Sequence, residues 1–279
     1  HTWVEALKLA ASKQQPNPLT VVNASSMDNP ALTGAYMESL KLLYADDPDG
    51  WRQYVEGVAT DARGAIYRVN AGTALAFDRR LLQSGEVVVG WDFNWGWMVT
   101  VICVWLPSYG TLHVIGEVVS RDPGGIDTAD HAQRVVEQLQ RMGLIMPGHP
   151  RGLMYQANKL VEIRAYVDAS GANRSASSYT TCEAAVRKAG FLVRTEGSNP
   201  AVRNRIAAVN RALKTRQLLV DPVGAPEMLQ ALKSHVRDKH GEPRKNWGPK
   251  DFQADHYCDA LGYAVWGLMP FRPESWGVF

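Results

Sequence analysis

The sequence of 279 residues predicts an α/β fold, in which a mixed sheet of five or more strands is flanked by helices. Two patterns carry this prediction. Three β-rich runs follow one another over residues 86–120, and their connections are short enough for antiparallel hairpins. After them, helical segments alternate with short apolar strands, as in right-handed crossovers onto the same sheet. Antiparallel and parallel pairs are therefore expected in one sheet.

The first part of the chain predicts mainly helices. A helix is expected to begin at Pro30 and to end before Pro48. The other predicted elements of this part are a helix over residues 1–15, a short strand over residues 19–25 and a helix over residues 49–57. We therefore interpret residues 1–60 as a helical lead-in and residues 61–279 as the main domain.

Three apolar runs open the main domain, namely EVVVGWDFN, WMVTVICVWL and TLHVIGEVVS. The dipeptide WG and the tetrapeptide PSYG separate them, so the three strands are predicted to form an antiparallel meander. An amphipathic helix follows over residues 127–143. Asp127 or Thr128 is its expected N-cap, and Gly143 is its expected stop.

The remaining elements alternate between strands and helices. They are a strand over residues 160–170, a helix over 181–190, a strand over 191–195, a helix over 199–215, a strand around 218, a helix over 225–239 and a final helix over 255–268. Three meander strands followed by crossovers are the layout of RNase H-like nucleases.

Composition excludes several classes of protein. With 46% apolar residues the chain can bury a substantial core. The cysteines Cys103, Cys182 and Cys258 are far apart and show no metal-ligand spacing, which is typical of a reduced, intracellular protein. The longest apolar run, residues 97–106, is too short to span a bilayer, so no membrane partner is expected. No GxxxxGK[ST] motif for a nucleotide phosphate is present.

Positive charge is unevenly distributed, although the formal net charge is only +2. Residues 187–250 hold fourteen Lys and Arg against five Asp and Glu. Such a stretch is compatible with binding to a phosphate backbone, and a solvated helix face explains it equally well. The candidate DNA contacts are Arg174, Arg203, Arg205, Arg244, Lys245 and Lys250.

Three acidic residues stand in apolar surroundings. Asp92 lies in the first meander strand, Asp168 ends the first crossover strand, and Asp259 interrupts the apolar helix YCDALGYAV. Neighbouring strands would bring the first two carboxylates to one edge of the sheet, and a helix packed across that edge would add the third. The alternatives are a strand-end cap or an arginine pair for Asp92, an ordinary turn for Asp168 and a helix surface position for Asp259.

Clustered carboxylates repel one another unless cations neutralise them. Two Mg²⁺ or Mn²⁺ ions about 3.5–4 Å apart suit such an oxygen-rich cluster, and they are used for phosphodiester cleavage. We therefore predict that Asp92, Asp168 and Asp259 are catalytic metal ligands. Asp255 and His256 are supplementary candidates, because either can share a helix face with Asp259. Asp255 also fits the N-cap of this helix.

The motifs GWDFN, YVDASG and DHYCDALGYA, together with the upstream SSMDNPAL and WRQYVEGVATDARGAIY, resemble the C-terminal nuclease domain of the large terminase subunit of tailed double-stranded DNA bacteriophages. The resemblance covers the chain from about residue 20 to its end. It implies an RNase H-like fold, two-metal cleavage of concatemeric viral DNA, and Asp92, Asp168 and Asp259 as the metal-binding carboxylates. Residues 1–60 would then be the remnant of a linker after an ATPase domain that this chain lacks.

The resemblance also implies partners and a location. The expected partners are double-stranded DNA, a portal protein, a small terminase subunit and the ATPase domain of the full-length protein. The expected location is the host cell cytoplasm, transiently at the portal vertex of the procapsid. Two other interpretations stay open: a nuclease like a Holliday-junction resolvase or a transposase, and a DNA-binding clamp without catalysis.

Overall fold

The structure is a computed structural model. It describes residues 25–44, 51–52, 55–57, 64–70, 72–145, 153–156, 159–172, 181–195, 198–238, 241–245 and 251–269. The helix expected over residues 1–15 lies outside these ranges, as do nearly all of the strand expected over residues 19–25 and much of the helix expected over residues 49–57. The chain divides into two units. The first is His1–Ile66, Val236–Arg244 and Arg272–Phe279, and the second is Tyr67–His235 and Lys245–Phe271.

The first unit contains helix α1, Gly34–Leu43. This helix begins later than the Pro30 start that the sequence predicts, because Thr33 is its N-cap and accepts a hydrogen bond from the backbone N–H of Tyr36. A short 3₁₀ turn, Ser26–Asp28, precedes it. The predicted domain boundary near residue 60 stays a prediction.

The second unit is built on a six-stranded mixed sheet. Its strands are β1 (Glu86–Asp92), β2 (Trp97–Leu106), β3 (Thr111–Arg121), β6 (Arg164–Val167), β7 (Leu192–Arg194) and β8 (Leu218–Val220). They are arranged in the order β7-β6-β1-β2-β3-β8. The pairs β1/β2 and β2/β3 are antiparallel, and the pairs β1/β6, β6/β7 and β3/β8 are parallel. The predicted RNase H-like mixed sheet is confirmed, with β8 as its sixth strand.

A separate two-stranded hairpin precedes β6. Its strands are β4 (Leu153–Gln156) and β5 (Lys159–Glu162). The strand predicted as continuous over residues 160–170 is therefore divided, because its first part pairs with β4 and only β6 joins the main sheet. The buried Ile163 lies between the two parts, and its carbonyl accepts a hydrogen bond from the N–H of Leu192.

Five helices belong to the second unit among its described residues: α2 (Thr128–Arg141), α3 (Cys182–Lys188), α4 (Val202–Lys214), α5 (Pro226–Ser234) and α6 (Ala254–Leu268). Asp127 caps α2, as predicted, and Gly143 follows its end with a positive φ of 67°. The helix predicted over residues 225–239 ends at Ser234, because His235 has extended backbone angles. No helix in the described ranges is long and apolar enough to cross a membrane.

Helix α6 packs directly on strand β1, and Gly90 sets their closest approach. A Cβ atom at Gly90 would collide with the backbone carbonyl of Ala260 in α6. On this strand Val88, Val89 and Trp91 are fully buried. The absence of a side chain at Gly90 therefore lets the helix lie close to the strand that carries Asp92.

Candidate active site

Two of the predicted carboxylates meet at one edge of the sheet. Trp91 pairs with Val167 in the parallel register of β1 and β6, so Asp92 and Asp168 follow at the carboxyl ends of neighbouring strands. The N–H of Asp168 donates to the carbonyl of Trp91 at 3.3 Å, which holds the two strand ends together. The sequence predicted this juxtaposition.

Helix α6 brings the other candidates to the same place. Asp255, His256 and Asp259 line a single cavity of about 830 Å³, and so do Asp92 and Asp168. The structure thus collects all five predicted metal-binding residues around one space at the carboxyl edge of β1 and β6. Their roles stay predictions, whereas their convergence is a property of the fold.

Asp92 is buried against a histidine. Nδ1 of His256 forms a hydrogen bond with Asp92 Oδ2 at 2.9 Å, and Nε2 of His256 lies 3.0 Å from Gln253 Oε1. Burial raises the pKa of Asp92 to about 6, and the hydrogen bond from His256 limits this rise. Burial by itself would lower the pKa of His256, but the hydrogen bond and negative charge of Asp92 raise it above its usual value. The amide Nδ2 of Asn94 also lies 3.2 Å from Nδ1 and 3.1 Å from Nε2 of the same ring. The pKa shifts of Asp92 and His256 thus follow from burial together with their mutual contact.

Asp259 is paired with an arginine from another helix. Arg205 of α4 donates from Nη2 to Asp259 Oδ1 at 2.7 Å, and its guanidinium lies 4.5 Å from the ring centroid of Tyr263. Arg205 is only 5% exposed. This burial corrects the interpretation of Arg205 as part of a solvated helix face, whereas its role as a DNA contact stays a prediction, because Arg205 lines the same cavity. The carboxylate that the sequence favoured first as the third ligand is already bound by a cation of the protein.

Asp255 has the least satisfied carboxylate in the cavity. The expected N-cap role is wrong, because Gln253 is the N-cap of α6 and Asp255 lies within its first turn. The side chain is buried, and Oδ1 has no hydrogen-bond partner among the described residues. Burial raises its pKa, while the neighbouring His256 acts in the opposite direction. An unpartnered buried carboxylate oxygen is costly, and a bound cation is one way to compensate it.

Asp168 is held by a residue that the sequence did not suggest. Asn199 donates from Nδ2 to Asp168 Oδ1 at 2.5 Å, and the N–H of Ser170 donates to the same oxygen at 2.7 Å. The second bond closes an ordinary turn, so the alternative interpretation of Asp168 is also correct locally. No sequence signal for Asn199 exists, because its contact joins positions 31 residues apart.

The donor set suits a divalent cation in kind. Carboxylate oxygens are the preferred ligands of Mg²⁺ and Mn²⁺, and five carboxylates line the cavity, namely the four candidates and Asp122. In the described part of the chain, however, no group of three or more His, Cys, Asp or Glu side chains is arranged to hold a metal. Asp92, Asp168 and Asp259 each have an internal partner instead. These hydrogen bonds engage Asp92 Oδ2, Asp168 Oδ1 and Asp259 Oδ1. A cation would therefore be held by the second oxygens of these carboxylates, together with the unpartnered Oδ1 of Asp255.

Cationic side chains also reach the cavity. Lys245 lines it and is exposed, as predicted for a DNA contact. Arg121, which the sequence did not single out, also lines it, donates from Nη2 to Glu227 Oε1 at 2.7 Å and lies 4.6 Å from the ring centroid of Trp97. Of the other predicted DNA contacts, Arg203 is exposed on α4 and Arg244 belongs to the first unit, whereas Arg174 and Lys250 are outside the described residues.

Comparison with known families gives one match, which covers most of the site. The sequence model of the terminase RNase H-like domain matches residues 89–266, more than half of the chain. The matched range begins one residue before Gly90 and includes all five acidic and histidine candidates. A comparison with curated proteins finds no match.

Solved structures give the same fold at low sequence identity. The large terminase of a thermophilic bacteriophage superposes with a TM-score of 0.54 at 19% identity, over 92% of this chain and 57% of that one. The P22 large terminase nuclease domain superposes with a TM-score of 0.51 at 15% identity, over 75% of this chain and 93% of that one. This chain thus spans little more than half the length of the thermophilic phage protein, and these likenesses establish the fold.

Proposed function

We propose that this chain, which belongs to the terminase RNase H-like domain family, is a divalent-metal-dependent endonuclease that cuts double-stranded DNA. One observation carries the proposal: Asp92, Asp168, Asp255, His256 and Asp259 line one cavity at the carboxyl edge of the sheet. Four carboxylates and an imidazole in one cavity are the ligand types for a pair of hard cations.

The side chains of the cavity would have different roles in metal binding. Asp92, Asp168 and Asp255 would hold Mg²⁺ or Mn²⁺, with His256 and Asp259 as supplementary ligands. When bound, two such ions activate a water molecule and stabilise the leaving oxygen of a phosphodiester.

Other residues of the chain position these ligands and the DNA. Asn199 fixes the carboxylate of Asp168, and Arg205 fixes that of Asp259. Lys245 and Arg121 line the cavity and would attract the DNA phosphates.

The biological role that we propose is the cutting of concatemeric viral DNA during genome packaging. The P22 protein, which shares the fold, is described as a large terminase nuclease domain. We infer an ATPase domain in the same full-length protein, and a portal protein and a small terminase subunit as partners. The site of action would be the host cell cytoplasm, at the portal vertex of the procapsid.

The decisive experiment is conversion of supercoiled plasmid to nicked and linear DNA by the native chain, with Mg²⁺, Mn²⁺, Ca²⁺ or EDTA. We expect cutting with Mg²⁺ or Mn²⁺ and none with EDTA. Asp92→Asn, Asp168→Asn and Asp255→Asn should each reduce the rate at least about 100-fold, because loss of even an outer partner of a metal site costs about 10–100-fold. Asp259→Asn tests whether the carboxylate that is paired with Arg205 is also required for cutting.

The matched control is Asp130→Asn, at an exposed aspartate in the first turn of α2. It should cut DNA at the native rate, and circular dichroism should show all variants folded. If the native chain cuts and the Asp92, Asp168 and Asp255 variants cut as fast, the cavity is not the cutting site. If folded native protein cuts no DNA with any metal, the endonuclease proposal is wrong. A DNA-binding clamp would then be the better interpretation, since three of the cavity carboxylates already have partners within the protein.

A further inference from the structure

We propose that a second groove, beside the cavity, binds one unpaired nucleotide of the DNA strand that the cavity acts on. This groove has a volume of about 320 Å³. That volume is at the lower end of the range of about 300–1,000 Å³ found for small-ligand sites. The inference rests on the proposed function, because it concerns the same DNA.

Aromatic rings and arginines line this groove together. Its walls include Tyr166 and Tyr263, which are only 8% and 7% exposed, the half-buried Trp266, and Arg164 and Arg194. The Trp266 ring therefore offers the stacking surface for a nucleobase, and guanidinium groups bind phosphates or stack on bases. The combination suits a nucleotide better than an apolar or a purely anionic ligand.

The two arginines differ in their ion pairing and in their exposure to solvent. Arg164 forms an ion pair with Glu86 and lies 5.9 Å from the ring centroid of Tyr166. Arg194 is exposed on β7, and its Cα is the register partner of Tyr166 on β6. Since a carboxylate already neutralises Arg164, Arg194 is the better phosphate ligand.

The groove adjoins the cavity. Asn199, Pro200 and Tyr263 line both spaces. Asn199 is held at this boundary, because its Nδ2 donates to Asp168 and its Oδ1 accepts from the N–H of Ala169 at 2.8 Å. A strand whose phosphate lies in the cavity would therefore place an adjoining nucleotide in the groove.

Stacking on side chains identifies the occupant as an unpaired nucleotide. Bases in a duplex stack on each other, and only a frayed or single-stranded base presents a free face to a protein ring. The groove would therefore hold a nucleotide that has left the duplex next to the cleavage position.

The test is fluorescence anisotropy of labelled DNA with the native chain in EDTA, so that no cutting occurs. Blunt duplexes are compared with the same duplexes carrying tails of one or three nucleotides at the 5′ or the 3′ end. One stacked base contributes about 1–3 kcal/mol, which corresponds to an affinity gain of about 5–150-fold. We expect a gain of this size for one tail polarity, complete at the first nucleotide.

Two groove variants should abolish this gain and leave the affinity for blunt duplex unchanged. They are Trp266→Ala, which removes a ring, and Arg194→Gln, which removes an exposed cation with little risk to folding. Arg141→Gln, at an exposed arginine that lines neither space, is the matched control and should keep the full gain. Equal binding of tailed and blunt DNA by the native chain, or a gain that survives both groove variants, overturns the proposal.

Two further arms separate related explanations. Free ATP and dAMP are added as competitors: if either displaces the tail from the groove at concentrations below the dissociation constant of the tailed DNA, the occupant is a free nucleotide and the proposal is wrong. Plasmid cutting with Mg²⁺ is measured on the same proteins. If the protein cuts plasmid but binds tailed and blunt DNA equally, the groove proposal is wrong and the endonuclease proposal stands. If it prefers tailed DNA but does not cut plasmid, the endonuclease proposal is wrong.

Discussion

Two histidines on opposite sides of strand β1 have pKa values that are shifted in opposite directions. His131 and His256 are both largely enclosed, yet burial lowers the pKa of His131 to about 3, whereas the pKa of His256 is raised. The difference lies in their partners, because His256 faces the carboxylate of Asp92 and His131 faces hydroxyl groups. Burial alone does not decide whether a histidine is charged. The charge of the group that it touches does.

Strand β1 separates these two environments by alternation. Trp91 contacts His131 with ring centroids 5.1 Å apart, and the next residue, Asp92, contacts His256. Successive side chains of a strand point to opposite faces of the sheet. One face of β1 therefore supports a buried cluster of His131, Thr100 and Ser120, with Arg134 donating to Ser120 Oγ at 3.2 Å, and the other face supports the acidic cavity.

The largest expected effect on stability comes from removing the ion pair between Arg205 and Asp259 on the cavity side of the sheet. Arg205→Gln leaves Asp259 without its cation in a mostly buried position, and loss of one partner of a buried ion pair costs about 3–5 kcal/mol. We expect the free energy of unfolding in EDTA to fall by about 3 kcal/mol, measured by urea denaturation. The double variant Arg205→Gln/Asp259→Asn should recover part of this loss. A loss below about 1 kcal/mol would mean that the pair behaves as an exposed one.

A smaller effect on stability is expected from removing the hydrogen bonds of His131 on the opposite face of β1. Ser120 Oγ lies 2.7 Å from Nδ1 of His131, and Thr100 Oγ1 lies 2.9 Å from Nε2. His131→Leu removes both contacts and should lower the free energy of unfolding by about 1–3 kcal/mol, the cost of an unsatisfied buried polar group. Adding Thr100→Val should restore most of it, because an apolar pair replaces a polar one. Failure of the second substitution to help would show that lost packing, and not the hydroxyl, causes the cost.

The pH dependence of the same variant sharpens the comparison. Because the folded-state pKa of His131 is depressed, the unfolded chain binds a proton more readily below pH 6.5. His131 therefore lowers native stability as pH falls from 6.5 toward 3. The cost of His131→Leu should accordingly be smaller at pH 5 than at pH 7, as measured by denaturant unfolding. A cost that does not change with pH would contradict a buried neutral imidazole.

The smallest effect is expected at Glu117, a half-buried carboxylate that accepts hydrogen bonds from backbone N–H groups. It accepts from the N–H groups of Glu227 at 2.9 Å and Met228 at 2.7 Å, at the start of α5, where Ala225 offers no side-chain cap. Burial raises its pKa to about 7. The folded state therefore favours the protonated form of Glu117. The free energy of unfolding keeps its full value below pH 4.5 and falls as pH rises through 7.

Glu117→Gln should remove that slope. Relative to the native chain, the variant should gain about 1 kcal/mol of stability between pH 5 and pH 8, measured by urea denaturation at both values. Glu137→Gln, at an exposed position on α2, is the control and should show no change in slope. An identical pH slope in the native chain and the Glu117 variant would place the titration elsewhere.

Local pattern predicted most of the fold. The strands β1, β2 and β3 were predictable because each is an apolar run and the loops between them are short. Pairings between distant segments were not. The run over residues 160–170 has no local signal for the break at Ile163, which arises because β5 pairs with β4. The pairing of β8 with β3 likewise depends on distant segments.

The candidate site divides in the same way. Asp92 and Asp168 were predictable because a carboxylate after each of two neighbouring strands must lie at one edge. The partners of these carboxylates were not, since Arg205, Asn199 and His256 reach them from helices and loops whose position depends on tertiary packing. The sequence therefore identified the acidic residues and missed which of them the protein already neutralises.

The contact at Gly90 has a consequence for how the cavity could be tuned. Gly90 precedes Asp92 by two residues, and Ala260 directly follows Asp259, so the spacing of strand and helix at this contact also sets how far apart the two carboxylates stand. A single methyl group here would act as a wedge between strand and helix. The spacing of the two carboxylates is therefore governed by a residue that has no side chain.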